Sequence, residues 1–538
     1  MTVSDTPVGG THGALHRPLY PQGQRAHALE AAEAPSCTKT ERPFVLIATI
    51  VASSMAFIDG TVAMIALPVI QDRLSASFSE AQWVINSYAL FLGTLILLGG
   101  ATGDRFGHRR LFSVGVNLFA LASVFCAVAP TVEFLIGARA LQGVGAALMV
   151  PQSLALIAVH YPKEERGRAI GLWAAASAVA TAMGPVLGGF MIDLFDWRSI
   201  FWINFPLSIA VLFLVHRFIP EEAEHAPRGT APDWVGAALG LMAIGGLSTS
   251  LTMSAEMEVT SSVTQYVALA GVIALALFCW QERRHPDPLV PLSLFSERVF
   301  VAANVMTVLL YGALGVVLFL IPFDLIERRH MSASHVGLLM LPFGLIIGVA
   351  SRFVGAWADR HGPRTPLSLG SLCVAVASAM LAATSDHFWA GVFGPIVLMA
   401  VGMGLVVSPL TTAVMNAAAD AHAGAAAGVN NAASRIAGLF GIVCAGALTQ
   451  YVFVHELTVV GLGATSFWGA DVRMGALPPP DAAAWTVAEF AFRRAYGAGM
   501  LLAAGLALMA ALISFFGLPS RTEAATPPMG KTGDHALP

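Results

Sequence analysis

Fourteen apolar runs, each long enough to cross a lipid bilayer as a helix, constrain this 538-residue chain more than any other feature. A bilayer core about 30 Å thick needs about 20 apolar residues per helix. The runs cover about residues 44–70, 82–103, 111–129, 132–159, 168–192, 199–217, 234–254, 263–280, 301–325, 335–357, 366–385, 389–416, 425–452 and 492–517. Only 12% of the residues are charged, against about a quarter in a soluble domain. The sequence therefore predicts an all-α integral membrane protein with fourteen transmembrane helices.

Basic residues are sorted between the two membrane faces. Of the 29 Lys and Arg residues, 20 fall on the side of the N-terminus, in tails, loops or the adjoining ends of runs, and seven fall on the other side. Because basic loops remain in the cytoplasm, we expect both termini to be cytoplasmic. Residues 1–43 lack the apolar stretch of a signal peptide, so they and residues 518–538 are expected to be cytoplasmic tails. The Ala- and Gly-rich, Lys-poor composition suggests a bacterial chain of the inner membrane.

One decapeptide occurs twice, at the ends of the second and the tenth run. Residues 100–109 read GATGDRFGHR and residues 355–364 read GAWADRHGPR. The recurring charged and glycine positions are Gly100, Asp104, Arg105, Gly107 and Arg109 in the first copy and Gly355, Asp359, Arg360, Gly362 and Arg364 in the second. A parallel repeat is typical of two six-helix halves related by an axis along the membrane normal. We expect halves at 44–218 and 301–517, a linker at 219–300 with an inserted two-helix hairpin, and a long outer loop at about 453–491.

The residue types of the decapeptide predict a gate. Gly100 and Gly103 let two helix ends pack closely, and Gly107 permits a turn that other residues resist. Asp104 is expected to accept hydrogen bonds at a helix N-terminus, and the arginines that follow it would latch the halves together on the inner side. The alternative is a plain positively charged loop. A loop that needs only charge would not repeat Gly, Asp and Gly at fixed offsets, which favours the gate.

Two ionisable residues of the first half lie deep within predicted spans, where charges are rare, costly and usually functional. Asp59 lies about 13–17 Å from the outer end of helix 1, and Arg139 about 10 Å from the outer end of helix 4, at about 1.5 Å per residue. Opposite charges at compatible depth in a poor dielectric are expected to pair. The corresponding positions of the second half are Leu314 and Leu398. The polar chemistry is therefore concentrated in the first half.

Six motifs in order make residues 44–517 resemble the major facilitator superfamily and, within it, the fourteen-helix drug:proton antiporters of the multidrug efflux type. Beside the decapeptide they are residues 59–68 (DGTVAMIALP), 139–147 (RALQGVGAA), 184–189 (GPVLGG), 197–206 (WRSIFWINFP) and 288–295 (PLVPLSLF). Met64 stands where the family commonly has Asn, and Ala180 where it commonly has Gly. The resemblance implies a major facilitator fold of two pseudo-symmetric six-helix bundles plus the inserted hairpin.

The resemblance also implies a function, a proton-coupled secondary active exporter (antiporter) that moves drugs or other small amphipathic molecules by alternating access. Asp59 would alternate between a protonated form and a carboxylate balanced by Arg139; the alternative is a static ion pair that braces helices 1 and 4. An antiporter motif in helix 5 would form a bend that seals the path against ion leak, or would serve only for packing. Its residues are Gly184, Pro185, Gly188 and Gly189. The alternative function is a major facilitator importer or uniporter of one metabolite. The choice of H⁺ rather than Na⁺ as the coupling ion rests on the resemblance alone.

The substrate cavity is indicated by residue type only. The polar and aromatic candidates within spans are Gln82, Asn86, Tyr88, Gln142, Gln152, Asn304, Tyr311 and Asn416. Arg435, near the middle of helix 13, is a further candidate, with a substrate carboxylate or backbone carbonyl groups as alternative partners. The transported compound cannot be read from these residues.

Other function classes find no support in the sequence. Because it shows no Ser/His/Asp arrangement, metal-ligand spacing or soluble catalytic domain, we expect no enzyme, no metal site and no cofactor besides the proton gradient. The five cysteines follow no disulfide or metal spacing, and no basic stripe with aromatic residues suggests nucleic-acid binding. The expected partners are the lipid bilayer and a small-molecule substrate. A periplasmic adaptor and an outer-membrane duct are optional further partners, and the protein is expected to be a monomer.

Overall fold

The computed structural model describes residues 38–220, 232–256, 261–286, 288–383, 387–417, 423–459, 474 and 485–519. These residues form helices and loops, and fourteen of the helices are long and apolar enough to cross a membrane, which confirms the predicted fold class. They are α1 (Arg42–Arg73), α2 (Phe78–Phe106), α3 (His108–Ala127), α4 (Val132–His160), α5 (Lys163–Leu194), α6 (Ser199–Phe218), α7 (Trp234–Glu256), α8 (Ser262–Arg284), α9 (Arg298–Pro322), α10 (Ala333–His361), α11 (Arg364–Ala382), α12 (Gly394–Asn416), α13 (Ala423–Val459) and α14 (Trp485–Gly517). Most of the two predicted tails and most of the predicted outer loop lie outside the described residues.

Local sequence explains where several helices begin and end. Ser77 and Glu80 form a capping box at the start of α2, each side chain bonded to the backbone N–H of the other, which satisfies two N–H groups that the helix leaves free. Gly107 and Gly362 follow α2 and α10 with φ of 92° and 83°, a conformation that side chains other than glycine resist. The two copies of the decapeptide therefore turn in the same way, as the repeat predicts.

The helices form two bundles and a hairpin. In the first bundle α4 packs against α2 and α3, while α1 packs against α5 and α6; in the second, α14 packs against α9 and α11, and α12 against α10 and α11. Helix α8 packs on α7, and α7 lies against α2 of the first bundle and α13 of the second. Leu90, Leu439 and Val443 form an apolar cluster there with side chains of α7. The hairpin thus covers the seam between α2 and α13.

The second seam, between α5 and α10, is closed at one end only. We call the end of the bundles that carries the two decapeptides the motif end. At the other end, a Cβ on Gly189 would overlap the carbonyl of Ala333, and a Cβ on Gly337 would overlap the carbonyl of Pro185. Gly348 lies about three turns farther along α10 on the same face as Gly337, yet a Cβ there would have no atom within 4 Å. Helices α5 and α10 therefore touch at the opposite end and separate toward the motif end.

Candidate functional site

Asp59 and Arg139 form a buried ion pair in the middle of the first bundle. Nη1 of Arg139 donates to Oδ2 of Asp59, and neither side chain is more than 1% exposed. Arg139 also donates through Nε to the carbonyl oxygen of Val84 in α2, at 3.1 Å. The pair that compatible depth predicts is therefore present, and it joins α1, α2 and α4.

The ion pair belongs to a larger network that collects donors for the carboxylate. Oδ1 of Asp59 accepts from Nε2 of Gln142 at 2.8 Å and from Nδ2 of Asn204 at 3.1 Å. Oε1 of Gln142 in turn accepts from Nη1 of Arg139 at 2.7 Å. The hydroxyl oxygen of Ser123 accepts from Gln142 and Asn204, at 2.9 and 3.3 Å. These five residues, all buried, are the Asp59 network, and they come from α1, α3, α4 and α6.

Aromatic rings cover the arginine of this network. The Cζ atom of Arg139 lies 4.4 Å from the ring centroid of Tyr88 and 5.7 Å from that of Phe201, distances at which a ring face attracts a cation. The Tyr88 hydroxyl donates to the carbonyl oxygen of Ala56 at 3.0 Å, which fixes the ring against α1. The positive charge is therefore balanced by one carboxylate and two rings of the same bundle.

Three members of the Asp59 network are candidates from the sequence, and two are not. Gln142 is predicted as a cavity residue, and the structure places it beside Asp59. Ser123 belongs to no motif, and Asn204 lies within the motif 197–206 but has no predicted role. The break at Ile203, between the short helix Ser199–Trp202 and the helix that starts at Asn204, lies directly before the asparagine. A polar residue in an apolar run was the only signal for either residue.

The first decapeptide is fastened to α4 of its own bundle. A Cβ on Gly103 would overlap the side chain of Gln152, whose Nε2 donates to the carbonyl oxygen of Gly99 at 2.6 Å and whose Oε1 lies 2.7 Å from Nδ1 of His108. The structure thus places Gln152, a predicted cavity residue, beneath the decapeptide. Asp104 lies in the last turn of α2, 71% exposed and 3.6 Å from His108. The expected helix N-terminal position of Asp104 is wrong, because α2 continues to Phe106.

The second decapeptide also makes its contacts within its own bundle. A Cβ on Gly355 would lie 2.9 Å from the Ser408 hydroxyl oxygen of α12, and the Cζ atom of Arg364 lies 4.3 Å from the ring centroid of Phe515 in α14. Arg360 is exposed, and the side chain of Asp359 lies outside the described part of the structure. The latch of the two halves by the arginines of the decapeptide remains a prediction.

The four small residues of the motif in α5 lie between α1 and α10. A Cβ on Gly184 would overlap the Thr61 hydroxyl oxygen, and one on Gly188 would lie 2.6 Å from Val62. Thr61 and Val62 follow Asp59 on α1. The neighbouring Pro185 and Gly189 instead meet Gly337 and Ala333 of the second bundle. This segment of α5 therefore touches the helix that carries Asp59 and, on another face, the partner bundle.

The remaining cavity candidates are spread over both bundles. Asn86 is buried in α2, and neither its Oδ1 nor its Nδ2 has a hydrogen-bond partner among the described residues. Asn304 donates to the carbonyl oxygen of Phe300 in its own helix, at 2.9 Å. Asn416 is exposed at the end of α12. Tyr311 of α9 lies close enough to Arg435 of α13 to interact with it electrostatically. Gln82 packs against Gly446 of α13.

Known proteins similar to this chain are membrane transporters. The family model described as Major Facilitator Superfamily matches residues 49–442. The Multidrug resistance protein Stp of Mycobacterium tuberculosis is 33% identical over 75% of this chain and 75% of its own length. The Puromycin resistance protein pur8 of Streptomyces alboniger is 34% identical over 89% of this chain and 92% of its own length.

Solved structures share the architecture. A bacterial homologue of the human lysosomal transporter Spinster, in an inward-facing and occupied conformation, aligns with a TM-score of 0.61. The alignment covers 89% of this chain and 97% of that chain at 19% sequence identity. At this identity the likeness concerns the fold alone.

Proposed function

Because the chain belongs to the Major Facilitator Superfamily, we propose that it is a proton-coupled antiporter that exports antibiotics or other small amphipathic molecules. Relatives named for drug resistance match at least 75% of this chain, which supports export. The proposal places the protein, as a monomer, in a bacterial cytoplasmic membrane with both termini and the motif end facing the cytoplasm. It needs no cofactor besides the proton gradient.

The Asp59 network is the observation that carries proton coupling. The Asp59 carboxylate accepts from Arg139, Gln142 and Asn204, so every partner stabilises its charged form. A proton on Asp59 would remove the charge that balances Arg139 and leave the arginine buried without a counter-ion, which is costly in a low dielectric. The network must then rearrange. Its members come from four helices, so binding and release of the proton would shift helices within the first bundle, which a static brace would not do.

Helix α5 connects this site to the seam that must open and close. Gly184 and Gly188 pack on Thr61 and Val62, the second and third residues after Asp59, while Gly189 packs on Ala333 of α10. A shift of α1 would therefore be transmitted through α5 to the second bundle. Close glycine contacts tolerate little deformation, so such a seam is either closed or open. In the proposed orientation, the present conformation is closed to the outside.

The principal test is efflux in a bacterial host that lacks its own drug exporters. We expect the unaltered protein to lower accumulation of one or more members of a panel of antibiotics and dyes, and an uncoupler to abolish this effect. Asp59→Asn should lose at least about 90% of uncoupler-sensitive efflux, because general acid–base positions in proton relays are rarely replaceable. Asp196→Asn is the matched control, since Asp196 pairs with Arg198 on a half-exposed surface. Efflux that survives in Asp59→Asn would leave only the static brace.

The importer and uniporter alternatives predict different results in the same assay. A uniporter would equilibrate its substrate with or without uncoupler. An importer would raise accumulation of its substrate in energised cells. Uncoupler-sensitive efflux is thus specific to the proposed function.

A glycine pair on α10 tests alternating access. Gly337→Leu should prevent closure of the seam at the opposite end, where Gly337 meets Pro185, whereas Gly348→Leu should prevent closure toward the motif end, where space is open now. Ala182→Cys, which faces Gly344 in the seam, reports the state in a background without native cysteines. An impermeant maleimide applied outside should label Cys at 182 at least about tenfold faster with Gly337→Leu than with Gly348→Leu. Equal rates would exclude this seam as the moving element.

A further inference from the structure

Arg435 lies deep within its span, and no described carboxylate pairs with it. It lies on α13, twelve residues from the first residue of Ala423–Val459, which is about 18 Å along the helix. Among the described residues its guanidinium makes no hydrogen bond or ion pair, and its Nε atom is buried. Charges at this depth are normally paired or face a water-filled path. From this position we propose that Arg435 binds the acidic group of the transported compound, so that the substrates are amphipathic anions. The inference rests on the proposed function.

The position of Arg435 suits a ligand that must touch both bundles. Its Cζ atom lies 5.5 Å from the ring centroid of Phe57 on α1, and its Cβ is 3.4 Å from the position that a Cβ on Gly93 of α2 would take. Arg435 itself belongs to the second bundle. A molecule bound to its guanidinium would therefore lie at the seam, where alternating access requires the substrate to be.

The side chains around Arg435 provide the other half of an amphipathic site. Phe57 presents its ring to the guanidinium, and the phenolic groups of Tyr88 and Tyr311 are near enough to interact with it electrostatically. Asn86 lies on α2 two turns before Gly93, on the same helix face, and both its amide atoms are buried with no hydrogen-bond partner in the described part of the chain. Aromatic rings would take an apolar scaffold, and the amide of Asn86 and the guanidinium would take polar groups.

The charges at this depth exclude a cation as the preferred ligand. Asp59 is the only acidic residue in the fourteen helices that lies more than five residues from an end of its span. Its carboxylate is already occupied by Arg139, Gln142 and Asn204. A cationic drug at the centre of the seam would thus meet the positive charge of Arg435 and no free carboxylate. An anion would instead form a charge-assisted, bidentate bond.

Tyr88 provides a physical link between this site and the Asp59 network. Its ring lies 4.4 Å from the Cζ atom of Arg139, and its phenolic group lies near Arg435. When a proton on Asp59 releases Arg139, the positive field around Tyr88 and Arg435 changes. Substrate binding and proton binding would therefore influence each other over a short distance within the seam.

The test is ligand binding to the purified protein in nanodiscs with three probes, fusidate as an amphipathic anion, its methyl ester as the neutral counterpart, and ethidium as a cation. We expect fusidate to bind most tightly of the three. Arg435→Gln should weaken the affinity for fusidate roughly 10- to 100-fold, because a charge-assisted bond is lost. The affinity for the methyl ester should change less than about twofold. Arg435→Lys keeps the positive charge and should retain part of the preference for fusidate over its methyl ester. Arg284→Gln is the control, because Arg284 also stacks on a ring, that of Trp280, but lies on the exposed hairpin. It should change the affinity for none of the three probes.

The outcomes separate this inference from the proposed function. Tighter binding of ethidium than of fusidate, no binding of fusidate, or equal loss for acid and ester in Arg435→Gln would overturn the inference, even if uncoupler-sensitive efflux is present. Arg435-dependent binding of fusidate without any uncoupler-sensitive efflux would retain the anion site and reject the antiporter.

Discussion

Arg139 and Arg435 are arginines deep within spans, one in each bundle, and their environments are opposite. Arg139 has a carboxylate, a side-chain amide and a backbone carbonyl within its own bundle. Arg435 lies at the seam and contacts a ring of the other bundle, with no hydrogen bond or ion pair among the described residues. Because a buried charge without a counter-ion is costly, a charge paired with a carboxylate indicates an internal component, and one without a carboxylate indicates a binding site. In the proposed mechanism, the first bundle holds the proton site, and the second supplies a charge to the substrate site.

The largest effect on stability is expected from removing Arg139. Arg139→Gln leaves the Asp59 carboxylate buried without its counter-ion and should lower the free energy of unfolding by about 3–5 kcal/mol. The measurement is denaturant unfolding of the purified protein in detergent. Asp59→Asn combined with Arg139→Gln removes both charges and should recover at least half of the loss. A loss in Arg139→Gln below about 1 kcal/mol would mean that the pair is not desolvated as the structure indicates.

Two buried asparagines repeat the comparison at smaller scale. Asn204 donates to Asp59 and Ser123, whereas Asn86 has no hydrogen-bond partner among the described residues. Asn204→Ala removes a bond to a charged group and should cost about 1.5–3 kcal/mol of unfolding free energy. Asn86→Ala loses no protein bond and should change it by less than about 0.5 kcal/mol. Equal losses would show that hydrogen-bond pairing does not distinguish the two sites.

The pair at the centre of the first bundle could be predicted because depth follows sequence position in a helix that must cross a membrane. Counting residues from the span ends placed Asp59 and Arg139 at compatible depth, and the structure joins them. The depth of a residue does not determine the direction in which its side chain leaves the helix, however. Gln152 lies within a span, as a cavity residue would, but its side chain contacts Gly99 and His108 beneath the decapeptide.

Residues whose role depends on helix packing could not be found from the sequence. Ser123 and Asn204 reach Asp59 only because α3 and α6 pack beside α1 and α4, and no local pattern encodes that neighbourhood. The end of α2 was misplaced for another reason. The apolar run stops near residue 103, but the helix continues to Phe106 through charged residues that tolerate an exposed last turn, so Asp104 lies at a helix C-terminus.

Arg435 should contribute little to the stability of the ligand-free protein, and the sign of its effect is informative. Arg435→Gln removes a charge that no described carboxylate balances, so the free energy of unfolding of the ligand-free protein should stay the same or rise, by no more than about 1 kcal/mol. Added fusidate at about 100 times its dissociation constant should stabilise the unaltered protein by about 2.7 kcal/mol, since a ligand that binds only the folded state shifts unfolding by mass action. At the same concentration it should stabilise Arg435→Gln by only about 0.4–1.4 kcal/mol, as a 10- to 100-fold weaker affinity requires. A loss of several kcal/mol in the ligand-free variant would show that Arg435 is braced by the protein like Arg139, and the contrast between the two bundles would then disappear.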